Sequence, residues 1–410
     1  MDKDEMKWSR RQLLKGAGVA GLGSLVLSAG RLPAMAAGEA AQTESPKHSI
    51  VPVRPFGKTG VQVSCLSLGG MFDIPSNQLL LKQALDWGVT YWDTADCYEG
   101  GKSEAGIGKF FGKYPDARRK VFLVTKSDER GSEGMSKLLD RSLERMKTDY
   151  VDMLLVHGIS NIGEMKEETK RWVEQAKTRG VVKLFGFSTH KNMEDCMLGA
   201  ARLGWIDGIM MSYNYRIMHT EKMKGAVEAC VKAGIGLTAM KTQGGGPMST
   251  QSETELQLAG RFLNLGFTDK QAALKAVWEN PQIASICSQM PNMTVLMSNV
   301  AAALDKTKLA AEDLRLMDQY ACETSSSYCA GCGEICESAM EGGVLVSDVM
   351  RCLMYYRSYG NPQQAKDTFA KLPDETADRL LSLDFSEAER RCPQRLKIGE
   401  LMKEAARVLA

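Results

Sequence analysis

From Cys65 to Gln289 the chain alternates short, nearly all-apolar runs with longer stretches in which apolar residues recur every three or four positions. The short runs are CLSLGG (65–70), VTYWDTA (89–95), VFLVTK (121–126), DMLLVH (152–157), KLFGFS (183–188), GIMMSY (208–213), GLTAMK (236–241) and ASICSQ (284–289). Runs apolar on both faces predict strands covered on both sides, as in a parallel sheet. Stretches such as SKLLDRSLERMK and EMKEETKRWVEQAKTRG predict amphipathic helices, and Gly180 and Gly234 stand where a helix must stop before the next strand. Eight strand–helix units over roughly 250 residues make a (β/α)8 TIM barrel. An open doubly wound sheet is the competing arrangement, but no G-x-G-x-x-G turn follows an early strand.

Barrels of this kind carry their chemistry at the C-terminal ends of the strands. Those ends are polar here: Asp93 closes the second run, Lys126 the third, His157 the fourth and Ser188 the fifth, with Tyr98 in the loop after the second. Each has an ordinary structural reading, as helix cap, surface cation, core histidine or loop anchor. Brought together on one rim, they make a candidate site.

With these residues in place the chain resembles the aldo-keto reductase family. WDTADCYEGGKSE (92–104), the lysine strand VFLVTK, the histidine strand DYVDMLLVH, the Gly-x-Ser strand VVKLFGFS and the N-terminal PFGKTGVQVSCLSLGG carry the likeness, which spans about Val53 to Asp305. The resemblance implies catalysis by Tyr98, Lys126, Asp93 and His157, and a small carbonyl or alcohol substrate. Reduction of a carbonyl needs a hydride, which a nicotinamide cofactor, NADP or NAD, would supply, and a proton. Tyr98 is expected to give that proton, with Lys126 lowering its pKa from about 10. Asp93 would hold Lys126, and His157 would donate to the substrate oxygen. Cofactor contacts are implied at Gly69, Gly70, Ser188, Thr189, Tyr213 and Lys241, and at Gly244, Gly245 and Gly246, whose backbone would approach the pyrophosphate. Two departures stand out. Ser188-Thr189 replaces the family's Ser-Asn, and SQMPNMTVLMSNVAA lacks its Pro-Gly and Arg, which leaves the choice between NAD and NADP open.

The eleven cysteines among 410 residues are too few for a disulfide scaffold and odd in number. Three of them, Cys329, Cys332 and Cys336, stand as C-x2-C-x3-C, and Cys392 is followed by a proline. Three close cysteines completed by a distant Cys-Pro resemble a ferredoxin module, with one [4Fe–4S] cluster on Cys329, Cys332, Cys336 and Cys392. A four-thiolate zinc site and oxidised disulfides are the rivals. Cys322 is a spare thiol; Cys352, in SDVMRCLMYYRSYG, is expected to pack in a helix, and Cys65, Cys196, Cys230 and Cys287 to fill barrel space. Cys97 has no partner legible in the sequence.

At the other end, Ser-Arg-Arg-x-Leu-Leu-Lys, an uncharged run from Gly16 to Gly30 and Ala34-Met35-Ala36 resemble a twin-arginine export signal with its cleavage site. The apolar run is too short for a stable membrane span. The expected organisation is a signal peptide at 1–37, a linker at 38–52, the barrel at 53–310 and a small, mainly helical ferredoxin-like lobe at 311–410. The expected location is periplasmic or exported, by the twin-arginine machinery, which passes folded proteins. A net charge of +2 and the absence of a basic stripe argue against a nucleic-acid partner. The thiol cluster admits two further readings: a redox partner protein, or an electron-transfer protein that uses the barrel only as a scaffold.

Overall fold

The structure, a computed structural model, describes residues 49–243, 252–340 and 343–410. The signal-like segment and Gly244, Gly245 and Gly246 lie outside the described residues. The chain enters through a hairpin of β1 (Val53–Pro55) and β2 (Gln62–Ser64). Eight parallel strands then close a barrel: β3 (Leu66–Gly69), β4 (Tyr91–Asp93), β5 (Phe122–Ser127), β6 (Val151–Ile159), β7 (Val182–Thr189), β8 (Gly208–Ser212), β9 (Gly236–Met240) and β10 (Ser285–Gln289). Each lies within one or two residues of an apolar run, and β10 pairs with both β3 and β9.

The hairpin is the element that hydrophobic patterning did not announce. Its turn carries Phe56, fully buried in the barrel interior with Val63, Tyr91, Phe122 and Met153. Gly208 and Gly236 begin β8 and β9 because a Cβ on either would lie 2.7 or 2.5 Å from the Phe56 ring. Phe56 plugs the end of the barrel where the strands begin, and the other end is left to polar side chains.

A separate, larger apolar shell joins the strands to the surrounding helices. The helix Ala311–Glu323 adds Leu316, Met317 and Tyr320 to this shell, so it packs with the barrel and not with the lobe placed at 311–410. The lobe has its own core, built on Val346, Val349, Cys352, Leu353, Phe369, Leu380, Met402 and Leu409, with Cys329, Cys336 and Cys392 in or against it. Cys352 packs there on the helix Val346–Arg357, as its pattern predicts. Lobe and barrel fall within one compact unit, His48–Ala410. Among the described residues no helix is long and apolar enough to cross a membrane.

Candidate active site

The rim at the strands' C-terminal ends brings the four expected residues together. Asp93 ends β4, and the loop that follows carries Cys97 and Tyr98. That loop is pinned by Asp96, whose carboxylate takes Arg141 at 2.7 Å and Arg145 at 2.9 Å. Lys126, near the end of β5, is 2% exposed. Its ammonium donates to Asp93 Oδ2 at 2.7 Å, to the Thr94 carbonyl at 2.8 Å and to Tyr98 Oη at 3.1 Å. All three of its donors are therefore used, and its orientation is fixed.

The expected effect on Tyr98 is reversed. Burial, and then the Asp93 charge, push the phenol well above its ordinary value. The Lys126 ammonium, donating to the phenolic oxygen, orients Tyr98. Burial also raises Asp93, against the pull of Lys126. Tyr98 thus stays protonated, with its oxygen occupied by Lys126 and its hydrogen left for a further acceptor.

His157 reaches the rim through an irregularity in β6, where the register with β7 shifts between Val156 and Ile159. Gly158, at φ +68, makes that shift, and its N–H donates to Ser188 Oγ at 2.9 Å. The imidazole meets Tyr98 edge-on, with centroids 5.7 Å apart. Its Nδ1 lies 2.8 Å from Asp128 Oδ1 and 3.6 Å from Cys97 Sγ. Cys97 therefore does have a partner, and Asp128 is a site residue that sequence reasoning missed, since an acid just after a strand reads as solvated loop. Burial, then Lys126, lower His157 below its ordinary value against the pull of Asp128. Burial and the Asp128 charge push the Cys97 thiol up to about 12.

With this geometry in place, the comparisons decide the family. Residues 67–307 match the profile described as "Aldo/keto reductase family". The chain belongs to the aldo/keto reductase family. It is similar to the uncharacterized oxidoreductase YqkF of Bacillus subtilis, 25% identical over 65% of this chain and 95% of the relative. It is similar also to the aldo-keto reductase AMT2 of Alternaria alternata, 25% identical over 63% of this chain and 82% of the relative. The fold matches the holo form of the aldo-keto reductase AKR11C1 from Bacillus halodurans, with a TM-score of 0.56 and 22% identity over 66% of this chain and 96% of that one. This aldo/keto reductase is accordingly an NAD(P)-dependent oxidoreductase.

The residues expected at the cofactor divide. Of them, Lys241 lines a cavity at the mouth of this aldo/keto reductase, beside Ser212 and His190, which the sequence did not single out, and under Arg351, Leu353 and Met354 of the helix Val346–Arg357. Lys241 donates to Tyr355 Oη at 3.1 Å, and its ammonium stands 4.5 Å from that ring's centroid. The cationic Lys241 and Arg351 suit an anionic group such as a dinucleotide phosphate. Tyr213 is not at the mouth. It is buried in the shell between strands and helices, where its hydroxyl accepts from Asn280 at 3.0 Å. Side chains alternate along a strand, so with Ser212 on the mouth the next residue faces away. Ser188 and Thr189 are buried; the first supports the turn under His157 and the second donates to the Lys191 carbonyl. Gly70 lacks a side chain for packing reasons, since a Cβ there would lie 2.7 Å from the Asp93 carbonyl oxygen, and Gly69 meets Cys287 at 3.2 Å.

Cys329, Cys332, Cys336 and Cys392 line one further cavity with Ile335, Val346, Leu396 and Ile398, and all four are free thiols. Among the described residues no three of these sulfurs lie mutually within 4.8 Å. A tetrahedral zinc with Zn–S bonds of about 2.3 Å needs sulfur pairs about 3.8 Å apart. Cys322 is exposed and not among the lining residues. The loop holding the first three cysteines docks on the residues after β7: Asn192 N donates to the Gly331 carbonyl at 2.8 Å, and Lys191 pairs with Glu337 and Asp348 at 2.5 and 3.2 Å. Cys329, Ala330 and Ser347 line both cavities, so thiol site and mouth share a wall.

Proposed function

We propose that this aldo/keto reductase is an exported enzyme interconverting a small carbonyl compound and its alcohol, with Tyr98, Lys126, Asp93 and His157 as its reacting and positioning groups. The observation that carries the reading is one buried ammonium that holds Asp93 and Tyr98 at 2.7 and 3.1 Å. When bound, the nicotinamide supplies or takes up the hydride. The chain's own part is electrostatic. Lys126 occupies the Tyr98 oxygen, so the phenolic hydrogen meets the charge that builds on the substrate oxygen, in a site from which water is largely excluded.

The proposal extends to both ends of the chain. Cys329, Cys332, Cys336 and Cys392 would hold one [4Fe–4S] cluster, which supplies one-electron chemistry, in a lobe of ferredoxin type. Residues 1–37 would act as a twin-arginine signal and 38–52 as a linker. A route that carries folded proteins suits a protein that must acquire an inorganic centre before export. The shared wall of Cys329, Ala330 and Ser347 supports electron exchange between thiol site and mouth, with a redox partner protein outside. Anaerobic purification should give about four irons and four sulfides per chain, and alcohol with NAD(P)+ should bleach the visible spectrum. One zinc per chain would refute the cluster. An unchanged spectrum during turnover would make the cluster purely structural.

A further inference from the structure

Three neighbouring strands, β4, β5 and β6, bring three different metal-ligating side chains to one point of the rim. Cys97 lies in the loop after β4, Asp128 directly follows β5, and His157 stands near the end of β6. A thiol sulfur, a carboxylate oxygen and an imidazole nitrogen there all lie within 4.8 Å of one another. His157 Nδ1 is 3.6 Å from Cys97 Sγ and 2.8 Å from Asp128 Oδ1. The frame behind them is held as well. Arg130 donates to the Asp128 carbonyl at 2.7 Å and to the His157 carbonyl at 2.8 Å, and it pairs with Glu164 at 3.0 Å. Asp96 pins the Cys97 loop through Arg141 and Arg145.

A histidine–aspartate pair alone needs no metal, because a proton on Nδ1 satisfies both groups. The thiol changes that reading, since it faces the same nitrogen. With Zn–S of about 2.3 Å and Zn–N of about 2.1 Å, tetrahedral angles put sulfur and nitrogen about 3.6 Å apart, the separation found here. Nitrogen and oxygen need about 3.4 Å, so the Asp128 contact must open by about 0.6 Å, which its half-exposed side chain permits. Charge fits too. Lys126 and Lys371 both act on Cys97 and would repel a site left positive, whereas a thiolate and a carboxylate cancel a dication. Sulfur in the set argues against magnesium and calcium, which take oxygen ligands. We propose that Cys97, Asp128 and His157 bind one zinc-type divalent cation, its fourth position open to solvent or to a donor atom of a ligand. On binding, the thiol gives up its proton to solvent, and any proton on Nδ1 moves to Nε2. Occupying His157 makes the cation a reversible inhibitor; that consequence, unlike the binding, rests on the proposed role of His157.

Cobalt(II) tests this, because it occupies zinc sites and gives an intense thiolate band in the near ultraviolet. The titration uses the full chain with its lobe intact and exchangeable metal removed. The native protein should take up one equivalent of cobalt more than Cys97→Ser, with a matching difference in the band, and zinc should displace it. Cys97→Ser should weaken zinc binding at this site at least about 100-fold, and Asp128→Asn about 10-fold. Metal held by the lobe responds to Cys336→Ser instead, which should leave the Cys97-dependent equivalent in place. Equal cobalt uptake and equal bands in native protein and folded Cys97→Ser would overturn the proposal. So would native zinc affinity in Asp128→Asn, whose exposed position spares the fold. Zinc should also stop nucleotide-dependent turnover at the affinity found by titration, and a chelator should restore it. Zinc bound at this site with turnover unchanged would remove His157 from the proposed reaction and leave the site standing, so the two failures are distinct.

Discussion

Replacing Lys126 by methionine should lower kcat by about 10³-fold and destabilise the protein by about 3 kcal/mol. Both effects follow from burial. Lys126 and Asp93 side chains are 1% and 3% exposed, and methionine fills the space without replacing the charge. Asp93 is then a carboxylate without its partner in a site that water does not reach, and it must take up a proton or distort the rim. Tyr98 loses the donor that fixes its oxygen. The double variant Asp93→Asn/Lys126→Met separates the consequences. Removing both charges should return most of the denaturation midpoint, because the uncompensated acid is gone, and none of the turnover. If the double variant regained activity, Lys126 would be a structural cation only.

If the four thiols hold the proposed cluster, Gly331→Ala should strip the lobe of its iron and leave the barrel folded. Gly331 has φ +81, and a Cβ there would lie 2.3 Å from the His190 carbonyl oxygen. A side chain meets both backbone strain of about 1–3 kcal/mol and a collision with backbone that cannot yield. Relief requires the Cys329–Cys336 loop to lift from the residues after β7, and its three thiols then no longer face Cys392. Iron per chain should fall below half of the native value, with the far-UV spectrum little changed. Gly360→Ala is the control. It has φ +60 in the same lobe, with nothing within 4 Å of its Cβ, so it suffers the strain without the collision and should keep its iron.

What could be read in the chain before its fold was known divides along physical lines. The eight barrel strands were legible because both faces are covered, which writes nearly unbroken apolar runs. The β1–β2 hairpin was not, since two strands of three residues leave no periodicity and the plug depends on one residue, Phe56. Asp93, Tyr98, Lys126 and His157 could be placed because a motif fixes their spacing at strand ends. Asp128 could not, because its partner lies on the next strand and only the β5–β6 pairing brings them together. Tyr213 was misplaced by a single residue, enough to turn a side chain from mouth to shell. The helix Val346–Arg357 showed by its pattern that it is buried, but not that part of it covers the mouth. That follows from Lys241, which finds Tyr355 across the joint.

The most direct measurement is nucleotide-dependent turnover of a panel of small alcohols and carbonyls by the native protein and by Tyr98→Phe, assayed anaerobically with nucleotide affinity determined alongside. The account predicts turnover at least about 100-fold lower in the variant, with nucleotide binding retained. Equal turnover in the two proteins, or a native protein that binds no nucleotide and serves only as a scaffold, would contradict it.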